Sequence, residues 1–171
     1  DEIARLDAHI VALCEVNNHH GVTSERLVEA LKQRGQAWYG ASGRCTGVQG
    51  TDVCVLSKYP IEEVVTGIST VPGGVDMKVR IDVGGRSILL YPAHLDYTHY
   101  ACYLPRGYDG VTWRKLPAPD GDPEAVLRMN RASTRDEAVA AFLEVVSREH
   151  ADLILLAGDF NEPSHLDWTD A

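Results

Sequence analysis

The sequence predicts an α/β fold, and three observations carry that prediction. The run Leu153, Ile154, Leu155, Leu156, Ala157 has no polar alternation, the pattern of a strand buried on both faces inside an α/β sandwich. Residues 75–83 alternate strictly and are followed by Gly84-Gly85 and a second apolar run, which reads as a hairpin with one buried face. Stretches with helical spacing lie between and after these strands. At 171 residues, with 44% hydrophobic and 24% charged residues, the chain has the length and composition of one globular domain with a substantial core.

In chain order, Ile3, Leu6 and Ile10 are spaced for one helix face, and the run IVALCEV at 10–16 then reads as a buried strand in which Glu15 is the only charge. Thr23 or Ser24 can cap a helix carrying Leu27, Val28, Ala30 and Leu31, and Gly35 can end it. Residues 52–57 (DVCVLS) form a further apolar strand, Tyr59-Pro60 a turn, and 62–67 a short strand, before the hairpin of 75–83 with 86–91. From Tyr97 to about Pro123 neither helical nor strand periodicity is visible. An unstructured stretch of that length in a compact domain tends to be functional or disordered. Its Tyr97, Tyr100, Tyr103, Tyr108 and Trp113 argue for packing. A single helix from about 130 to 150 follows, with Ala138, Val139, Phe142, Leu143 and Val146 on its apolar face. Arg128, Arg131 and Arg135 form a basic stripe at its start, read as a solvated face that would also suit an acidic neighbour or a phosphate. His9 and His150 fall at helix ends.

The net charge of −9 argues against a broad basic nucleic-acid footprint, although a bound divalent metal can recruit phosphate where net charge repels it. Cys14, Cys45, Cys54 and Cys102 have no zinc-site spacing, and Cys14 and Cys54 lie in apolar runs where a thiol behaves as a small hydrophobe. A Cys45–Cys102 disulfide is compatible with an oxidising compartment, but spacing does not establish that the two are close. No stretch approaches the ~20 apolar residues of a membrane span, and no signal-peptide pattern is present. The compartment, secreted, periplasmic or cytoplasmic, is left open.

The chemistry concentrates at strand ends. The run at 153–157 stops on Gly158, and Asp159 and Asn161 follow at i and i+2, so an extended backbone points both to one side. Asp and Asn are also ordinary turn formers. The tie is broken by two other strands that finish on polar groups: ALCE with Glu15 and YPAHLD with His94. In this order the motifs ALCE, CVLSKYPI, YPAHLD and LILLAGDFN resemble the endonuclease/exonuclease/phosphatase superfamily, which includes deoxyribonuclease I, over nearly the whole chain from Ile10 to Pro163. The resemblance implies a four-layer α/β sandwich and Mg²⁺- or Mn²⁺-assisted hydrolysis of a phosphoester. It implies Glu15 as metal ligand, Asp159 as the residue that positions or deprotonates the attacking water, Asn161 as a phosphoryl contact and His94 as stabiliser of developing charge. Asp96, Tyr97 and His165 adjoin these motifs as possible substrate contacts. His19 and His20 also sit near motif ends, where an exposed loop His more often has no role. For His94 alone the alternative is a structural His satisfied by Asp96. Asp76 could orient His94, but an exposed strand position is expected for it.

The family pattern also has a first strand bearing a metal-proximal Asn, and a later segment with a second Asp and a terminal Asp-His pair. Neither is found here, so the expectation is one domain over 1–171 that lacks the first strand and the C-terminal part of the fold and whose own turnover is impaired. The leading reading is a metal-dependent phosphodiesterase or phosphatase. Nuclease activity on the same fold is the alternative, and a non-catalytic binding module is the alternative of another class. Sustained nucleic-acid contact needs Lys and Arg. With only Arg106, Arg114, Lys115 and the 128/131/135 stripe available, a small molecule or lipid headgroup is favoured slightly over nucleic acid. The 97–123 segment is expected to line the cleft and set substrate choice.

Overall fold

Alternating burial along the strands builds two sheets, each of which needs a cover on its outer face. The computed structural model describes residues 2–17, 21–44 and 52–162. A short helix α1 (Glu2–Arg5) leads into β1 (Ile10–Val16), then come α2 (Thr23–Lys32), β2 (Tyr39–Arg44), β3 (Asp52–Ser57), β4 (Ile61–Thr66), β5 (Met77–Asp82) and β6 (Ser87–His94). A 3₁₀ turn over Ala101–Arg106, helices α3 (Pro123–Arg131) and α4 (Arg135–Val146), and β7 (Leu153–Asp159) complete the order.

Strands β1-β3-β2 form one antiparallel sheet, and β4-β5-β6-β7 form a second in which only β6 and β7 run parallel. Ala41, Val53 and Val55 from the first sheet meet Met77, Val79, Ile81 and Leu90 from the second. The outer face of the first sheet, with Cys54 and Leu56, is covered by Leu27, Val28 and Leu31 of α2 together with Trp38. The outer face of the second, with Leu89, Tyr91 and Ala93, is covered by Ala138, Val139, Phe142, Val145 and Val146 of α4. The layers are therefore helix, sheet, sheet, helix, the four-layer sandwich expected. The hairpin also forms as expected, with Gly84 and Gly85 at φ +64° and +85°, the left-handed pair that a two-residue turn between right-twisted strands requires. Gly35, at φ +76°, closes α2.

Several expectations are corrected. Strand β2 (YGASGR) was not foreseen, because Gly, Ser and Ala give no strand signal. Its small residues are needed for close packing: a Cβ on Gly40 would lie 2.9 Å from Val28 Cγ2, and one on Gly43 would lie 2.7 Å from Met77 Sδ. Helix α2 starts at Thr23 behind Val22 with no side-chain cap. Instead, Thr23 Oγ1 donates to the Asn17 carbonyl at 2.6 Å, and Ser24, which is buried, accepts from Ser42 Oγ at 2.7 Å. The helix expected over 130–150 is α4 alone, over Arg135–Val146, and the preceding α3 over Pro123–Arg131 was not expected; the two are separated at Ala132–Thr134, where Ser133 Oγ returns to the Asn130 carbonyl and Thr134 bonds Asp96. Strand β7 is not buried on both faces: Ile154 and Leu156 pack on the α4 side, while Leu153 and Leu155 are 45% and 37% exposed. On their face only Ala157 reaches the core between the sheets. Asp76 is buried, accepting from Ser69 N at 3.1 Å, and does not bond His94. No helix among the described residues is long and apolar enough to cross a membrane.

Candidate active site

The central strands deliver their C-terminal polar residues to one end of the sandwich. In β1 the pairing with β3 shifts between Leu13 and Val16: three steps along β1 match two along β3, from Cys54 to Asp52, so one residue is extra. This bulge puts Glu15 at φ +56° with its carboxylate exposed, an example of a strand irregularity that re-aims a side chain. On the second sheet, His94 pairs with Asp159 at the end of the parallel β6–β7 ladder. Gly158 has φ +152°, and a Cβ there would collide with the Ala93 carbonyl oxygen, so the close approach of these strands demands glycine.

Past β7 the chain turns sharply. Asp159 Oδ1 accepts the Asn161 backbone N–H at 2.8 Å, the Asp159 carbonyl accepts from Leu95 N at 2.9 Å, and Asn161 Nδ2 donates to the Leu95 carbonyl at 3.0 Å. These bonds lock Asn161 at φ +50° and fix the two side chains beside each other. The result is a cleft of about 430 Å³ lined by the acidic and amide groups Glu15, Asp159, Asn161 and Glu162 together with Tyr97, Tyr100, Tyr103, Arg106 and Trp113. Glu15, Asn161 and Trp113 are three of the five non-glycine residues with positive φ among those described. Backbone strain of this kind persists only where surrounding contacts over-determine it, and it clusters at functional sites.

The structure thus brings Glu15, Asp159, Asn161 and Tyr97 together in one cleft. His94 lies beneath it, 3% exposed, with Nε2 3.9 Å from Glu15 Oε1 and with Nδ1 lacking a hydrogen-bond partner among the described residues. Asp96 does not satisfy it. The Asp96 carboxylate accepts from Thr98 N (2.9 Å), Thr98 Oγ1 (2.7 Å) and Thr134 N (3.2 Å), which makes it a structural anchor for the α3–α4 break. Burial alone would raise the Asp96 pKa, but the Thr98 and Thr134 hydrogen bonds and the Arg135 charge outweigh it and hold the carboxyl below its ordinary value. His165, like His19, His20 and Cys45, lies outside the described residues.

Sequence reasoning missed the next ring of contacts. The sequence favours a solvated stripe for Arg135 and leaves an acidic neighbour as the alternative; its side chain is only 4% exposed, and Glu162 is that acidic neighbour. Its guanidinium donates to Glu162 Oε2 (2.7 Å), Asn130 Oδ1 (2.9 Å) and the carbonyls of Asp96 (2.9 Å), Thr98 (3.0 Å) and His99 (3.4 Å). It ties the loop after β6 to the loop after β7. Arg128 and Arg131 are exposed, as expected of that stripe. The signal for Arg135 was present in sequence: an Arg in the first helical turn opposes the dipole and calls for a specific acceptor. The segment at 97–123 is also more ordered than its lack of periodicity suggested, with the 3₁₀ turn at 101–106 and a Tyr108–Lys115 bridge, and it lines the cleft as expected.

The field at this end is negative. Burial, and then the nearby Asp159 and Glu15 carboxylates, push the Cys14 thiol up. Burial raises Tyr100 as well, with Cys102, Tyr103, Asp159 and Glu162 adding to the effect. Among the described residues neither Glu15 nor Asp159 has a Lys or Arg ion-pair partner. Carboxylates lining one cleft without a Lys or Arg ion pair suit a hard divalent cation that takes one or two carboxylates and keeps several waters. No closed cage of three or more His, Cys, Asp or Glu ligands forms among the described residues.

A four-layer sandwich with an acidic cleft at the ends of its central strands defines a class, and sequence comparison agrees with it. The chain belongs to the endonuclease/exonuclease/phosphatase family, whose profile it matches over residues 1–171. Humanized D. rerio TDP2 carrying 14 mutations aligns with TM-score 0.56 and 15% identity, over 95% of this chain and 52% of that one. An endonuclease/exonuclease/phosphatase from Beutenbergia cavernae DSM 12333 aligns with TM-score 0.51 and 20% identity, over 93% and 40%. Truncated Caenorhabditis elegans TDP2 aligns with TM-score 0.52 and 14% identity, over 95% and 54%. At these identities the likeness is one of fold, and the chain spans between 40% and 54% of the length of these structures. No curated protein matches the chain in sequence.

Proposed function

We propose that this cleft hydrolyses phosphoester bonds with the help of Mg²⁺ or Mn²⁺. The observation that carries the reading is the convergence of Glu15, Asp159 and Asn161 from two sheets on one cleft, neither carboxylate being paired with a Lys or Arg among the described residues. That convergence favours an enzyme over a non-catalytic binding module. Glu15, set outward by its bulge, would hold the metal, which when bound neutralises charge on the phosphoryl oxygens.

The remaining roles belong to the chain's own groups. Asp159 orients the attacking water and takes its proton; the Asn161 N–H that occupies Oδ1 fixes the carboxylate and leaves Oδ2 for that water. Asn161 Nδ2 spends one hydrogen on the Leu95 carbonyl, which aims the second into the cleft toward a phosphoryl oxygen. His94 supports the Glu15 side from below and stabilises charge that develops in the transition state. Arg106 lines the same cleft as these groups and supplies a cation for a bound phosphate. With a net charge of −9 and few basic groups near the cleft, a small phosphoester is favoured over a long nucleic-acid track.

The test is hydrolysis by the intact protein of a panel of phosphodiesters and phosphomonoesters, with Mg²⁺ and with chelator. Turnover that requires the metal and falls roughly 10²- to 10⁴-fold in Asp159→Asn is expected. Absence of metal-dependent turnover on every substrate, or an unaffected Asp159→Asn, overturns the reading.

A further inference from the structure

The cleft continues past Arg106 into a second hollow of about 300 Å³, lined by Tyr103, Arg106, Tyr108 and Trp113. Tyr103, Arg106 and Trp113 line both spaces, so the hollow is a side arm of the cleft. Its walls are aromatic: Tyr103 and Tyr108 meet edge to face at 6.5 Å, and Trp113 lies 5.5 Å from Tyr97. Yet Trp113 and Tyr108 remain 53% and 43% exposed, so about half of each residue is left uncovered by the fold.

The backbone that presents Trp113 is also constrained. Trp113 has φ +59°, an unfavourable conformation for a bulky residue. It is imposed by Asp109, whose Oδ1 accepts from Val111 N (3.0 Å), Thr112 N (2.6 Å) and Thr112 Oγ1 (2.8 Å), and whose carbonyl accepts from Trp113 N (2.9 Å). The Tyr108–Lys115 bridge closes the loop behind it. A strained, exposed indole held rigidly beside a cleft has the properties of a stacking platform whose ordering cost is met before the ligand arrives.

We propose that Tyr108, Trp113 and Arg106 form a subsite for a planar aromatic ring carried by the phosphoester. This rests on the phosphoesterase reading and names the substrate class it serves. The ring stacks between Trp113 and Tyr108, while Arg106, without an ion-pair partner among the described residues, takes the adjoining phosphate. The same guanidinium selects against the other ligand an aromatic hollow could hold, a quaternary ammonium headgroup, which would be placed against a fixed positive charge. A sugar phosphate or polyol phosphate would leave the exposed rings without a partner.

The experiment is titration of the intact protein in chelator, where no turnover occurs, with the Trp113 indole N–H followed by NMR and assigned by its loss in Trp113→Phe. The ligands are adenosine 5′-monophosphate, phenyl phosphate, ribose 5-phosphate and phosphocholine. The ring-bearing ligands are expected to shift the indole and to saturate at concentrations about five-fold or more below ribose 5-phosphate, in line with the value of a single stacked base. Phosphocholine is expected to bind no better than ribose 5-phosphate, and Tyr108→Ala to weaken only the ring-bearing ligands. Adenosine 5′-monophosphate binding more tightly than phenyl phosphate identifies the ring as a nucleobase, and the reverse order identifies it as a simple aryl group. Ribose 5-phosphate or phosphocholine saturating as readily as the ring-bearing ligands, or an indole that none of them moves, overturns the subsite. Loss of hydrolysis in Asp159→Asn, which tests the enzymatic reading, is measured separately and does not enter this result.

Discussion

Replacing Arg135 by alanine tests whether the cleft is held in shape by the buried guanidinium rather than by the strands alone. The side chain is 4% exposed and donates to five acceptors. Glu162 keeps 39% of its side chain exposed, so water replaces the guanidinium there at small cost. The partly buried Asp96 and Thr98 carbonyls, at 2.9 and 3.0 Å, and Asn130 Oδ1, at 2.9 Å, carry the main penalty, each toward the lower end of the about 1–3 kcal/mol that an unpaired buried acceptor costs. The His99 contact at 3.4 Å is weak, and water entering the vacated space offsets part of the rest. The sum is about 3 kcal/mol, at the lower end of the roughly 3–5 kcal/mol for breaking a buried charged pair. For a domain of this size that lowers Tm by about 6–12 °C. Urea and thermal unfolding of the intact protein measure it, with Arg135→Lys expected to fall between, because an ammonium cannot span the same fork of acceptors. A loss below about 1 kcal/mol would refute the assignment of Arg135 as the tie between the two loops.

Other expectations concern the same end of the sandwich. Gly158→Ala places a Cβ against the Ala93 carbonyl and is expected to cost at least about 3 kcal/mol or to prevent soluble expression, read as a shift in urea midpoint; near-wild-type stability would mean that the β6–β7 approach is looser than it is here. Asp96 and Glu149 both titrate below their ordinary values when folded, Glu149 chiefly through its hydrogen bond from Lys78. The unfolded chain therefore binds more protons than the folded one as pH falls through the ordinary carboxylate range. Their contribution is complete above about pH 4–5 and is lost as pH falls toward the folded values. Urea midpoints from pH 7 to 3 should drop on the acid side, with a shallower limb in Asp96→Asn; superimposable limbs would remove Asp96 as a contributor.

The parts of this fold legible in the sequence are those fixed by local pattern. The apolar runs of β1, β3, β6 and β7, the alternation of β5 and the Gly84-Gly85 turn each carry their own signal, and so does the placement of Glu15, His94, Asp159 and Asn161 at strand ends. What was not legible depends on neighbours distant in sequence. Strand β2 is made of small residues because Val28 and Met77 approach its backbone, which no window of β2 itself reveals. The break between α3 and α4 is stabilised from outside by Asp96, and Arg135 becomes a buried anchor only because the loops after β6 and β7 close over it. Asp76 looks like the solvent side of an alternating strand until the Ser69 N–H is seen to cover it. The strain at Glu15, Trp113 and Asn161 follows from a bulge and two turns whose geometry is set by hydrogen bonds rather than by residue type.

The most direct test of the central claim, that Glu15 supplies the metal-holding carboxylate of a phosphoesterase cleft, is a Mg²⁺ titration of kcat/KM for Glu15→Gln beside the wild-type intact protein, with Mn²⁺ binding followed by electron paramagnetic resonance. Glutamine keeps the size and removes the charge. If Glu15 holds the metal, Mn²⁺ affinity drops and kcat/KM falls about a thousand-fold, the equivalent of several kcal/mol of transition-state charge stabilisation. Wild-type Mn²⁺ affinity together with wild-type kcat/KM in Glu15→Gln would contradict it.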